Sequence, residues 1–206
     1  LMVEVTFHSV EPARLFVDRV FTLRGIGTVV TGTLWSGTVG EGDALRAEPA
    51  GLDVRVRSVQ VHDRPVERAE AGQRVAVALP GVERTQLRRG DALVEPGAYP
   101  LSYRLDVALA PLTEITDGSR LHVHHGTAEH VARVVCIDAG RAQLRLAGPV
   151  VAGRGDRVVL REGTTLGGAT VLDPAPPRRT SAERLDLLER GEPASSVLAG
   201  VSGAGE

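Results

Sequence analysis

His122 and His124 come nearest, by type and spacing, to a reactive centre. In Leu121-His122-Val123-His124-His125 the two imidazoles alternate with apolar residues, so on a strand they share one face. Two imidazoles at i and i+2 make half of a metal site once further ligands reach them. His125 and His130 are close in sequence, yet no third and fourth ligand is identifiable by spacing. The other reading is a partly exposed strand face that meets solvent or RNA. No metal is assigned. Cys136, the single cysteine, lies in Val134-Val135-Cys136-Ile137 and reads as a buried small hydrophobe, not a nucleophile. One cysteine makes no internal disulfide, which fits a reducing compartment. There is no G-x-S-x-G elbow and no H-E-x-x-H pair.

The basic residues exclude more. The chain contains no lysine, and all 24 basic residues are arginine. The phosphate loop G-x-x-x-x-G-K-[ST] needs a lysine on the nucleotide and is impossible here. Asparagine is absent too, a pattern that fits GC-rich codon usage, with arginine standing where relatives carry lysine. The formal net charge is −2, so contact with nucleic acid must come from a local patch and not from a global field. Arg55, Arg57, Arg64 and Arg68 make one candidate stripe. Arg88, Arg89, Arg133, Arg141, Arg145, Arg154 and Arg157 are candidate phosphate contacts in the second barrel; phosphate contacts position an RNA without reading its sequence. Taken singly, each also reads as a solubilising surface charge. Asp18 and Arg19 read in the same way as a solvated pair on a strand rim.

The elements that must position these residues are short strands. Phe16 to Leu23 is β-branched and apolar with charges interspersed, Arg24-Gly25-Ile26-Gly27 is a tight turn, and Thr28 to Leu34 is a second strand. Gly32 inside that strand marks a bulge or a close backbone approach. Further strands start at Ala44 and at Val75. Val54 to Val61 has a parity conflict, since Val54 and Val56 share one face and Val59 and Val61 the other; a bulge near Arg57-Ser58 reconciles them. His62-Asp63-Arg64-Pro65 reads as a turn, and Gly81 to Leu87 as a short helical turn. Glu95-Pro96-Gly97-Ala98-Tyr99-Pro100 is the best boundary. Beyond it Tyr103, Leu105, Val107 and Leu109 alternate, as do Leu121 and Val123, then Ala142, Leu144 and Leu146. Pro174 to Arg179 reads as a linker. Ser181 to Gly191 reads as one helix, with Thr180 or Ser181 as its cap and Leu185 and Leu188 on its apolar side. The pattern predicts an all-β chain of two tandem barrels with a short C-terminal helix: residues 1–96, residues 97–175, and a linker, helix and flexible tail over 176–206. No segment is long and apolar enough to span a membrane as a helix, and no signal peptide is visible.

The string RLFVDRVFTLRGIGTVVTGTLWSGTVGEGD, Arg14 to Asp43, resembles domain II of the translational GTPases, and most closely the selenocysteine-specific elongation factors, the SelB family. Arg89-Gly90-Asp91-Ala92-Leu93 matches the family's ending of that domain. His125-Gly126-Thr127-Ala128-Glu129 and the GGATVLDP ending are similar to SelB domain III. The resemblance covers about Val10 to Pro177.

The resemblance implies two translation-factor barrels and a non-catalytic role in holding selenocysteinyl-tRNA. It implies a pocket for the aminoacyl group in the first barrel, formed by Asp18, Arg19 and Arg74. It implies tRNA contacts to which Arg55, Arg57, His122, His124 and Arg133 are assigned. Consecutive strand residues point to opposite faces, so Asp18 and Arg19 share a pocket only at a bulge or a strand end, or with Asp18 acting indirectly. The implied partners are selenocysteinyl-tRNA, the ribosome and the GTPase domain of the same factor. A winged-helix region beyond this chain would serve the SECIS element of the mRNA. GTP and magnesium would bind a domain that this sequence does not contain, so the chain takes no cofactor; the expected location is the cytoplasm. The chain reads as shortened at both ends relative to a full SelB. A general translation-factor barrel pair, as in EF-Tu or the initiation factors, and a stand-alone module that docks on a ribosome or a GTPase remain as alternatives.

Overall fold

The computed structural model describes residues 10–191. They fall into two compact units, one running to Tyr99 and including Gly126–Ala128, the other made of the remaining residues from Pro100 on.

The first unit has ten strands: β1 Arg14–Leu23, β2 Gly27–Ser36, β3 Thr38–Gly40, β4 Ala44–Glu48, β5 Leu52–Arg55, β6 Ser58–Val61, β7 Arg64–Val66, β8 Arg68–Glu70, β9 Arg74–Leu79 and β10 Ala92–Val94. Eight of them form one sheet in the order β5-β4-β10-β1-β2-β9-β6-β7, and β3 pairs with β8. One core receives Leu15 and Val17 of β1, Val30 and Leu34 of β2, Val39 of β3, Leu45 of β4, Val54 of β5, Val59 of β6, Ala69 of β8, Val77 of β9 and Leu93 of β10, with Val66 of β7 packed against it. The short helical turn expected after Gly81 is a 3-10 turn over Arg84–Gln86.

The parity conflict of Val54 to Val61 resolves differently from the bulge expected. All four valines are buried, but the segment is two strands and not one. β5 pairs with β4, and β6 pairs with β9 and β7. Between them Val56 N–H donates to the Asp43 carbonyl at 2.9 Å and Arg57 N–H to the Ala78 carbonyl at 2.9 Å. The chain changes partner strand there, and the inward face changes with it. The turn after β6 is also tighter than expected. Only His62 and Asp63 make it, both at positive φ (51° and 61°), and Arg64 and Pro65 already belong to β7. This two-residue geometry matches the twist of the strands it joins.

The second unit is a closed six-stranded barrel of β11 Leu101–Pro111, β12 Arg120–His125, β13 Ala128–Cys136, β14 Arg141–Val151, β15 Arg157–Glu162 and β16 Thr164–Asp173, in the order β11-β14-β13-β12-β15-β16. Its core holds Leu105, Val107, Leu121, Val123, Val134, Leu144, Val158, Leu160 and Val171. Tyr103 leaves the alternation expected of it: a register shift between Ser102 and Arg104 turns its ring out, 56% exposed.

The helix, α1 Ala182–Glu189, is capped by Ser181, whose hydroxyl accepts from Arg184 N–H. Leu185 and Leu188 pack on Leu172, Ala108 and Ile137. Arg184 is buried; its guanidinium donates to Asp106 at 3.2 Å and to Asp173. The proline-rich segment before the helix is fastened carbonyl by carbonyl: Pro176 accepts from Arg104, Pro177 from Gln143, and Arg178 from Arg145. Segment 176–191 is thus built onto the barrel wall. The tail beyond Gly191, the strand expected over Leu1 to Phe7 and the start of the connection at His8 lie outside the described residues.

Candidate aminoacyl-end site in the first barrel

The site starts from a register shift. β1 and β2 pair Val17 with Gly32 and then Arg19 with Thr31, which leaves Asp18 bulged between them. Gly32 permits the approach: a Cβ there would stand 2.0 Å from the Phe16 carbonyl oxygen. A bulge re-aims a side chain, and it lifts the objection that neighbours on a strand point apart. Asp18 and Arg19 line the same open cavity of about 530 Å³, together with Val20, Phe21, Arg84, Thr85, Leu87, Arg88 and Arg89.

Asp18 is held from two directions. Thr31 Oγ1 donates to Asp18 Oδ1 at 2.6 Å. Arg74, the first residue of β9, grips both carboxylate oxygens, Nη1 to Oδ2 at 2.5 Å and Nη2 to Oδ1 at 3.0 Å. This two-pronged pairing fixes the guanidinium plane as a single contact would not. The Arg74 side chain stays 53% exposed while that of Asp18 is 17% exposed, so the cation keeps an open edge. Arg74 is therefore joined to the cavity through Asp18, and Arg19 stands in its wall.

Sequence reasoning missed Arg84 and misplaced Arg88 and Arg89. The last two were assigned to the second barrel; they belong to the first unit and stand in the same wall as Arg19. The 3-10 turn brings Arg84 there, and its Nε donates to the Val20 carbonyl of β1 at 3.2 Å. Strand parity carried no signal for these residues because they lie on a loop between β9 and β10. Four arginines thus line a cavity whose one lining carboxylate, Asp18, is itself engaged by Arg74, while Arg88 also pairs with Asp91 behind the wall. The cavity favours an anion.

The other assigned residues are not brought to this cavity. Arg55 ends β5 and Arg57 follows it, both exposed and away from the cavity walls. In the second unit His122 is exposed with Nδ1 2.6 Å from Glu129 Oε1, and His124 Nδ1 lies 3.9 Å from Glu129 Oε2. A carboxylate between the two imidazoles competes with any phosphate they would meet. No three His, Cys, Asp or Glu side chains group to hold a metal among the described residues. Arg133 is exposed and pairs across strands with Arg145, which pairs with Arg104, a row of three arginines over β13, β14 and β11. Three of the expected phosphate contacts are used inside the fold, Arg145 among them through Gln143 and the Arg178 carbonyl. Arg141 bonds Asp138, Asp186 and Glu189, and its pKa is raised first by the hydrogen bond to Asp138. Arg154 donates to the Leu188 carbonyl. Burial pushes the Cys136 thiol up, away from nucleophile chemistry.

Two family models match the chain. Residues 27–94 match "Elongation factor Tu domain 2", and residues 102–178 match "Selenocysteine-specific elongation factor, beta-barrel domain". The selenocysteine-specific elongation factor of Escherichia coli K12 is 38% identical over 170 residues, 81% of this chain and 28% of that protein. The chain belongs to the selenocysteine-specific elongation factor family. The factor of Desulfomicrobium baculatum is 35% identical over 78% of this chain and 28% of its own length. A crystal structure of a bacterial selenocysteine-specific elongation factor, EF-Sec, superposes with a TM-score of 0.78 at 33% identity, over 92% of this chain and 32% of that one. The chain thus spans less than a third of the length of these relatives and corresponds to their barrel domains. No helix among the described residues is long and apolar enough to cross a membrane, which leaves strands unaddressed.

Proposed function

We propose that the first unit holds the selenocysteinyl group at the 3′ end of its tRNA and that the second unit meets the T-stem. The observation that supports this reading is the bulge at Asp18, which sets Arg19 in a cationic cavity beside a carboxylate held in both prongs of Arg74. A selenol ionises below neutral pH and a serine hydroxyl does not. Guanidiniums form charge-assisted hydrogen bonds with the selenolate that a neutral hydroxyl cannot match. Serine placed there leaves the cations without their anion, a polar mismatch that discriminates well. Asp18 orients Arg74 and keeps the empty cavity from gathering surplus positive charge. Arg84, Arg88 and Arg89 face the phosphates that lead into the aminoacylated end. In the second unit the exposed Arg133 faces the RNA backbone, beside Arg145 and Arg104, which also hold the 176–178 segment, and His122 and His124 flank it as the weaker contacts because Glu129 already engages them. Arg55 and Arg57 extend the contact along the first unit.

The chain acts by binding and not by catalysis. The rest of the reading concerns the whole factor: a GTPase domain works beside these barrels, the ribosome receives the tRNA, an mRNA element is read by other domains, and the setting is the cytoplasm. No residue here fits GTP, because the lysine of the phosphate loop is lacking throughout.

The test uses an acceptor-arm RNA minihelix esterified with selenocysteine or with serine. Arg74→Ala and Arg19→Ala are each expected to lower affinity for the selenocysteinyl form by about tenfold or more, the worth of one charge-assisted hydrogen bond, with little change for the seryl form. Equal loss for both forms removes the selectivity.

A further inference from the structure

We propose that Asp91, which stands outside the cavity walls, is a positioning residue for this site: it fixes the turn that carries Arg88 and Arg89 against the bulge that presents Asp18 and Arg19. The inference rests on the reading above and extends it to a residue that touches no ligand.

The connection is a short chain of hydrogen bonds. Asp91 Oδ2 accepts from Arg88 N–H at 2.9 Å, and Asp91 N–H donates back to the Arg88 carbonyl at 3.2 Å, closing the turn. The turn is then laced to β1 at one residue. Gly90 N–H donates to the Val17 carbonyl at 3.0 Å, and Val17 N–H to the Asp91 carbonyl at 2.8 Å. Val17 is the last residue before the bulge. The turn bearing two arginines and the bulge bearing the carboxylate therefore share one anchor. Gly90 sits at φ +97°, which a side chain rarely adopts, so the turn has little freedom to be rebuilt from other residues.

Asp91 is 3% exposed, and burial outweighs its contacts with Arg88 to push its carboxyl above the usual range. A charge kept there is a cost to stability that a neutral residue would avoid. What the carboxylate does beyond filling space is hold the Arg88 backbone. It also pairs with the cation, Arg88 Nε lying 3.6 Å from Asp91 Oδ1, yet the Arg88 side chain stays 80% exposed. The backbone is fixed, and the exposed side of the guanidinium stays open to an outside anion.

The experiment measures binding of the selenocysteinyl minihelix to the 206-residue chain across a salt series, with the thermal transition of each variant recorded. Asp91→Ala is expected to weaken binding about fivefold and to flatten the plot of log affinity against log salt by about 1.5, the share of two phosphate contacts. Asp91→Asn keeps an oxygen for the Arg88 amide and is expected to bind within about twofold of the original. In an Arg88→Ala, Arg89→Ala background, Asp91→Ala should add nothing, since residues that act as one unit are not additive. An unchanged salt slope in a folded Asp91→Ala chain overturns the proposal, as does an undiminished effect in the double-arginine background. Should Asp91→Ala fail to fold, Asp91→Ser carries the same comparison. If Arg74→Ala abolishes the selenocysteine preference while the Asp91 variants bind normally, only this inference falls. If Arg74→Ala is silent, or the unmodified chain does not retain the minihelix, the functional reading falls and takes the inference with it.

Discussion

A carboxylate raised above its ordinary pKa in the folded state binds protons that the unfolded chain does not. For Asp91 that window opens at about 3.8 and extends up to the raised value. Within it the native state holds more protons, so this residue's contribution to stability grows as pH falls and shrinks as pH rises through the folded pKa. Asp91→Asn removes the titration and the burial cost together. The variant should therefore melt at or above the original temperature at pH 7, and the difference should close as pH approaches 4. Calorimetry at the two pH values checks this, and a variant less stable at pH 7 contradicts it. Gly32→Ala should behave oppositely, since its methyl group would stand 2.0 Å from the Phe16 carbonyl oxygen, a backbone atom, and 2.9 Å from Leu15 Cδ2. Chemical denaturation should report a loss at the upper end for single substitutions, about 4 kcal/mol or more. The close approach at Gly32 was legible from a glycine inside a strand. The role of Asp91 was not, because hydrogen bonds between a loop and a distant strand have no period in sequence.

At the scale of elements, the order and kind of strands followed from alternation and from glycine and proline punctuation. The misses fall where a strand changes partner or bulges. Val54 to Val61 looked continuous because both halves are valine-rich, and only the exchange of neighbours at Val56 and Arg57 divides them. Tyr103 looked inward-facing because periodicity alone does not reveal a register shift. The helix was legible from Ser181, Leu185, Leu188 and Gly191, but its attachment was not. Nothing in the pattern marked Arg184, and it is the buried cation between Asp106 and Asp173. Burial is also the largest influence on Asp106 and raises its pKa. Truncating the cation leaves two carboxylates buried without it, the case in which breaking a buried pair costs most. Arg184→Ala should lower stability by about 3–5 kcal/mol in urea unfolding. Arg179→Ala, an exposed neighbour, should change it by less than about 0.5 kcal/mol.

At the scale of the whole chain, charge sets what binding can look like. With 24 arginines against 26 acidic residues and no lysine, there is no general attraction for RNA to exploit. Attraction must arise where arginines outnumber carboxylates, as Arg19, Arg84, Arg88 and Arg89 do around one cavity with Asp18 in its wall and Asp91 beside Arg88. This much was legible from composition, which called for a local patch, whereas its place depended on a loop that strand patterns do not describe. Two consequences follow for measurement. Nucleotide hydrolysis by this chain should stay at the uncatalysed background, because the phosphate loop is impossible without lysine. RNA affinity should depend on the aminoacyl end far more than on RNA length. Removing the selenocysteinyl group from the minihelix is expected to weaken binding by about tenfold or more, the worth of the charge-assisted contacts it takes away. Lengthening the duplex away from that end should add less than about twofold, since a near-neutral surface gives few further counterion releases. Titrations of charged, uncharged and lengthened minihelices at two salt concentrations separate these terms. Affinity that climbs with duplex length and ignores the esterified end would mean a surface that binds RNA backbone at large, and the cavity at Asp18 would then have no part in recognition.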